Sequence, residues 1–139
     1  QNREYHHVFP AALLAEAELN GDLALNCALI TWNTNRMLGR KDPLEYLQER
    51  VDWADAEVVR DRLRSHLISF DLLSRARYAG LEGEALREKL SADFDNFLRH
   101  RANLVLTAVE ALAKGEEVDV NGLWRRFGEN STGTPEYVA

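Results

Sequence analysis

The feature that most limits the possible folds is a long series of side chains spaced three or four residues apart, all of them apolar except Arg101. It runs from near Glu84 to Lys114 and is followed by Gly115. The positions in this series are Phe94, Phe97, Leu98, Arg101, Leu104, Val105, Ala108 and Leu112. The spacing predicts one face of an α-helix of roughly 28 residues, which glycine then ends. A helix of this kind needs other elements to cover its apolar face, so we expect a mostly helical fold.

Composition places the chain among ordinary globular domains. It has 139 residues, of which 45% are hydrophobic, enough for the core of one domain. No apolar run approaches the ~20 residues of a membrane span, and no signal peptide is visible. The single cysteine, Cys27, excludes an internal disulfide and a cysteine-based zinc cluster, which fits a cytoplasmic protein. The chain begins with Gln1, and we expect it to be a piece of a longer protein.

The charge balance bears on possible nucleic-acid partners. The net charge is −6, whereas domains that bind nucleic acid by themselves are usually basic, because phosphate contacts dominate their affinity. Arg36, Arg40 and Lys41 are close together and could form a small basic rim. We therefore expect weak DNA binding by this chain alone, with these three residues making the contacts.

The first 40 residues have the pattern of two strands rather than that of a long helix. The predicted elements are a strand at 3–9 ended by Pro10, a helix at 11–19, a turn at 20–22, a strand at 25–31 and a short helix from 33 or 34 to 38. Asn33 is read as a helix cap. The order is strand, connection, strand, helix.

The middle and the end of the chain are predicted to be helical. Asp42 and Pro43 are a strong helix start, with the acid as N-cap and proline in the first turn. A second helix is expected over 55–73, and the glycines around 79–83 break the pattern. Residues 123–127 are expected to pack on the body of the domain, and 129–139 are expected to fray.

Four residues in the first 40 have the chemistry needed to hydrolyse a phosphodiester. His6 and His7 are adjacent, Asn26 follows nineteen residues after His7, and Asn35 nine residues later. A neutral imidazole can deprotonate water, and a divalent cation can neutralise the charge that develops on the phosphate. Neighbouring residues of a strand point to opposite faces, so the two histidines need not have the same task. His66 and His100 are on later helices and are expected to be structural or exposed.

Residues 5–10, YHHVFP, together with Asn26 and Asn35, resemble the signature of HNH nucleases. The resemblance implies a ββα-metal fold near the N-terminus and metal-dependent DNA cleavage. It implies that His6 and Asn35 bind the metal and that His7 is the general base. Asn26 would hold the connection between the strands by hydrogen bonds to the backbone. The resemblance thus implies that the catalytic residues are His7, Asn26 and Asn35. Mg²⁺ and Mn²⁺ are the expected metals.

Two longer segments resemble one particular family of HNH nucleases. The stretch from Leu25 to Leu47 is similar to the GmrSD-type C-terminal nuclease domain, and residues 97–104 are similar to a helical segment of the same family. That family combines this domain with an N-terminal ParB-like NTPase domain in anti-phage restriction proteins. The resemblance covers roughly 4–48 and 90–115. It implies double-stranded DNA, from phage or modified, as substrate and the NTPase domain as a partner.

The expected fold is therefore α+β, mostly α, with a small ββα-metal HNH core packed by a helical bundle. Residues 1–42 would form the nuclease core, 43–115 the bundle, and 116–139 a C-terminal extension. Two alternatives stay open. The chain could be a catalytically silent HNH-fold module for binding DNA or protein, or an all-helical interaction domain without a site.

Overall fold

The computed structural model describes residues 2–32, 41–45 and 56–130, and within the strands residues 2–6 and 29–32 are described by backbone alone. The described chain is α+β and mostly helical. Its elements are β1 (Asn2–His7), α1 (Ala11–Glu16), a 3₁₀ turn (Ala24–Asn26), β2 (Cys27–Trp32), α2 (Ala56–Ser65), α3 (Phe70–Arg75), α4 (Gly83–Ala113) and α5 (Val120–Phe127). Residues 43–45 are also helical, after the predicted cap Asp42.

The two strands form an antiparallel pair, which excludes an all-helical fold. His7 at the end of β1 lies opposite Cys27 at the start of β2. β1 ends at His7 rather than at Phe9, where the sequence placed its end. Val8 and Phe9 are both fully buried, and two consecutive residues of a regular strand cannot both point into one core. The regular strand therefore ends at His7, and one further bond, from the amide of Val8 to the carbonyl of Asn26, extends the pairing.

Helix α1 is three residues shorter than the sequence predicts. It ends at Glu16, and Glu18 adopts a left-handed conformation with φ of 57°. The amide of Leu19 reaches back to the carbonyl of Leu14, and that of Glu18 to Ala15, which is the Schellman pattern of a helix end. The chain is thereby turned toward the loop that precedes β2.

The prediction of a single helix over 55–73 is wrong, because the chain forms two helices there, α2 and α3. The break is at Leu67, whose φ is 60°, and the amide of Ile68 bonds back to the carbonyl of Leu63. Ser69 then caps α3, since its Oγ accepts a hydrogen bond from the amide of Leu72. The break lets Ile68 turn into the core, where it is fully buried.

Helix α4 confirms the long helix predicted from the periodicity, and it organises two apolar clusters. Its first half packs Phe94 and Phe97 on Phe9, with ring centroids 5.2 Å apart in both pairs. Its second half packs on α5, where Leu123 and Trp124 are buried. The expected packing of 123–127 on the body is thus confirmed for these two residues.

Although α4 has 31 residues, its sequence is rich in charged side chains. Neither α4 nor any other helix in the described ranges has the combination of length and apolar character that crossing a bilayer requires.

Candidate functional site

The buried side chain of Asn26 is the centre of the connection between β1 and β2. Its Oδ1 accepts a hydrogen bond from the amide of Phe9 at 2.8 Å, and its Nδ2 donates to the carbonyl of Phe9 at 3.1 Å. The same Nδ2 donates to the carbonyl of Gly21 at 2.9 Å. Asn26 is fully buried, so these bonds satisfy an amide that would otherwise be costly to bury. One side chain thus joins the end of β1 to the turn that precedes β2.

His7 and Asp22 lie on the two backbone segments that Asn26 holds, and their side chains are in contact. His7 is two residues before Phe9, and Asp22 directly follows Gly21. The Nε2 of His7 lies 3.0 Å from the Oδ1 of Asp22. The His7 side chain is 34% exposed, so water can reach its ring. The turn is fixed further by Asn20, whose Oδ1 accepts from the amide of Asp22 at 2.9 Å.

This contact selects one tautomer of the neutral His7 ring. A carboxylate only accepts hydrogen bonds, so the Nε2 of His7 donates to Asp22, and in the neutral ring Nδ1 then keeps its lone pair. Among the described residues, Nδ1 has no hydrogen-bond donor. A neutral imidazole arranged in this way can take a proton from a water molecule. Asp22 is a residue that the sequence reasoning missed; the Asn20–Asp22 segment was read only as a turn.

Several predicted site residues lie outside the described part of the chain. Asn35, Arg36 and Arg40 are in the undescribed stretch 33–40. The backbone of His6 lies in β1 opposite Ala28, next to the pair formed by His7 and Cys27, while its side chain is outside the description.

Two other predicted residues are described. Lys41 is partly buried just before the helical residues 43–45. Asn26 is joined to His7 through the backbone of Phe9, as given above.

The described residues include no cluster of three or more histidine, cysteine, aspartate or glutamate side chains that could hold a metal ion. The expected ligands His6 and Asn35 lie outside the set of side chains described. The imidazole and amide oxygen that they would supply are donor types that divalent transition metals accept.

A buried arginine from α4 donates hydrogen bonds to the backbone on either side of Asn26. The Nη1 of Arg101 donates to the carbonyls of Leu25 and Cys27, both at 2.7 Å, and its Nη2 donates to the carbonyl of His66 at 3.0 Å. Arg101 is only 9% exposed. Burial lowers the pKa of Arg101 to about 10, with Cys27 acting in the opposite direction, so the guanidinium is still a cation at neutral pH. The sequence placed Arg101 on the apolar face of α4 but gave it no partner.

The two later histidines are away from this connection. His100 is buried, its Nε2 lies 2.6 Å from the carbonyl of Gly128, and its ring centroid is 5.4 Å from that of Trp124. Burial lowers the pKa of His100. The pKa of His66 is also lowered, by burial and then by the nearby charges of Arg101 and Arg62. His100 therefore holds the end of α5 against α4, which is a structural role.

No family model matches this chain, and no curated protein or solved structure is significantly similar to it. Its function must therefore be inferred from the chemistry of His7, Asp22 and Asn26 and from the sequence pattern around them.

Proposed function

We propose that this chain is the metal-dependent HNH endonuclease domain of an anti-phage restriction protein and that it nicks double-stranded DNA. The observation that carries the proposal is the set of three hydrogen bonds made by the Asn26 side chain. They fix the backbone directly after His7, which is the task that the HNH resemblance assigns to this asparagine. A partly exposed histidine on a rigid support is suited to act as a general base.

His7 would start the reaction by removing a proton from water. The Nδ1 lone pair accepts this proton, and the water oxygen attacks the phosphorus atom in line with the leaving oxygen. The new P–O bond forms as the bond to the 3′ oxygen breaks, and the 3′ oxygen takes up a proton from solvent. The products are a 5′-phosphate and a 3′-hydroxyl. Asp22 holds the ring in the required tautomer and stabilises the imidazolium that forms.

His6 and Asn35 would hold a divalent cation, Mg²⁺ or Mn²⁺, beside the scissile phosphate. When bound, the cation neutralises the negative charge that develops on the phosphate oxygens and on the leaving oxygen. Mg²⁺ prefers oxygen ligands, so the imidazole of His6 favours Mn²⁺ as the more effective metal.

The proposed substrate follows from the charge as well as from the resemblance. With a net charge of −6, the chain is expected to bind DNA weakly through Arg36, Arg40 and Lys41. A ParB-like NTPase domain of the same protein would then supply most of the affinity and recognise phage or modified DNA. One site cuts one strand, so a single copy of the domain produces nicks.

The test is the conversion of supercoiled plasmid to open circles in Mg²⁺, in Mn²⁺ and in EDTA. The His7→Ala variant is compared with wild type, and His66→Gln serves as the matched control, because the His66 side chain has no role in the proposed reaction and the substitution keeps the backbone carbonyl that accepts from Arg101. We expect nicking that needs metal and His7 and that His66→Gln retains. Full metal-dependent nicking by a folded His7→Ala protein would overturn the assignment of the base.

One rival is a catalytically silent HNH-fold module that binds DNA or a protein partner, and the acidic charge of the chain favours the protein partner. Thermal melting with and without Mn²⁺ separates this module from the nuclease. A metal that binds the native state raises the melting temperature, and the His6→Ala variant should lose that rise. Nicking that is absent in both the isolated chain and the full-length protein, with no rise in melting temperature, would support the silent module.

A further inference from the structure

We infer that Arg101 is a positioning residue for the His7 site, acting through the backbone on either side of Asn26. Arg101 lies in the helical half of the chain and takes no direct part in the proposed reaction. Its effect on catalysis rests on the proposed function, whereas its effect on the geometry of the connection does not.

The carbonyls of residues 25–27 are held alternately from two sides. The carbonyl of Asn26 accepts from the amide of Val8 at 2.7 Å, which continues the pairing of the strands. The carbonyls of Leu25 and Cys27 both accept from the Nη1 of Arg101 at 2.7 Å. Asn26 therefore lies between β1 on one side and a guanidinium on the other, and the direction of its side chain is fixed by both.

Space filling alone does not explain an arginine at this position. Burying a cation is expensive unless its charge is compensated, and an apolar side chain of similar volume is often at least as stabilising. Among the described residues, Arg101 has carbonyl oxygens as its hydrogen-bond partners and no carboxylate partner, and its Nε has no partner. A guanidinium is the side chain that can donate to three carbonyls from one rigid plane.

The third hydrogen bond of Arg101 ties its guanidinium to the end of another helix. The Nη2 of Arg101 donates to the carbonyl of His66, just beyond the C-terminus of α2. Exposed carbonyls at a helix end favour a nearby cation. Arg101 thus joins the end of α2, the body of α4 and the connection that carries Asn26. Without it, the connection would keep its bonds to β1 but lose its support from the helices.

The test compares Arg101→Lys and Arg101→Met with the same changes at Arg99. Arg99 is the matched control, because it is two residues away on α4 and makes an exposed ion pair with Asp95 at 2.8 Å. The readout is the hydrogen-exchange rate of the Phe9 amide, which donates to Asn26, relative to the amide of Leu104 in α4. We expect Phe9 to exchange at least tenfold faster than in wild type after correction for Leu104. The methionine variant should show the larger effect.

Equal changes at Phe9 and Leu104 would mean that Arg101 stabilises the whole domain, and the inference would be overturned. The Arg99 variants should leave both rates unchanged. If neither Arg101 variant folds, the hydrogen bonds of Arg101 are measured by NMR in the wild-type protein instead. Slowly exchanging Nη1 protons with couplings across hydrogen bonds to the carbonyls of Leu25 and Cys27 would support the inference, and their absence would overturn it.

Nicking kinetics give the second readout. Because Arg101 is buried, Arg101→Lys should lower kcat about tenfold and leave KM for plasmid unchanged. A change in KM alone would contradict a positioning role. Wild-type protein that does not nick at all would count against the proposed function, while the exchange rates would still decide the role of Arg101.

Discussion

The carboxylate of Asp22 lies 3.0 Å from Nε2 of His7, although the two residues are fifteen positions apart in the sequence. Both residues are placed by backbone that Asn26 holds, His7 through Phe9 and Asp22 through Gly21. The buried amide of Asn26 therefore places the backbone from which both side chains extend, without help from the weak attraction between these exposed groups.

Asp22→Asn should lower the rate of metal-dependent nicking about tenfold, because the amide keeps the size of the side chain and loses its charge. Asp22 is 86% exposed, so solvent screens the pair and the thermal stability should hardly change. The measurement is kcat for plasmid nicking together with a thermal melt. An unchanged kcat would show that the negative charge of Asp22 does not assist the base.

Asn26→Ala should destabilise the domain by about 2–4 kcal/mol, since it strands the buried amide of Phe9 and removes bonds to two carbonyls. Asn20→Ala is the control, because its side chain makes one exposed bond to the amide of Asp22. That change should cost about 0.5 kcal/mol or less. Urea unfolding followed by circular dichroism measures both, and equal losses would contradict the central place given to Asn26.

Ser69→Ala should cost about 1–2 kcal/mol, because Ser69 caps α3 and is buried. Its Oγ is also within hydrogen-bond distance of the carbonyl and the carboxylate of Glu129, at 2.7 and 2.8 Å. The control is Ser65→Ala, whose exposed hydroxyl bonds, within the part of the chain that the structure describes, only to the carbonyl of Arg62. Chemical denaturation of the two variants is the measurement, and a Ser65 loss as large as that of Ser69 would count against the capping role.

Stability should fall as the pH is lowered below about 6.5, in part because of His100. Burial lowers the pKa of His100 from its ordinary value of 6.5 in the folded state. The unfolded state then binds more protons in this range, so stability is fully present above pH 6.5 and decreases toward the folded pKa.

The comparison of urea midpoints at pH 7.5 and pH 5.5 tests this dependence. His100→Gln should show a smaller difference between the two pH values than wild type. His66 has a pKa lowered in the same direction, so His66→Gln should remove a further part of the difference. An undiminished difference in His100→Gln would mean that other groups set the dependence.

The sequence predicted the elements whose signals are local. The long helix α4 lies between Gly83 and Gly115 as the periodicity required, and the two strands occur where β-formers are clustered. The break at Leu67 was missed because apolar spacing continues through it. Only the serine cap at Ser69, three residues before the amide that it binds, marked the start of a new helix.

The site was only partly predictable for a related reason. His7 and Asn26 were identified from a spaced pattern of residue types, which sequence reading detects well. The partners Asp22 and Arg101 depend on contacts between residues distant in sequence. The bonds of Arg101 to Leu25 and Cys27 span 76 and 74 positions, and no local pattern indicates such contacts.

The two apolar clusters share a single continuous helix, and Arg101 lies between them, after Phe97 and before Leu104. The order in which the domain opens follows from this arrangement. Separation of α5 from the second half of α4 exposes a few apolar side chains and leaves the hydrogen bonds of Arg101 intact. We therefore expect it to be the partial unfolding with the lowest free energy. Lifting the hairpin from α4 would break two of the three hydrogen bonds of Arg101 and would expose the buried ring of Phe9 to water. We therefore expect the end that carries His7 to stay closed until the whole domain unfolds.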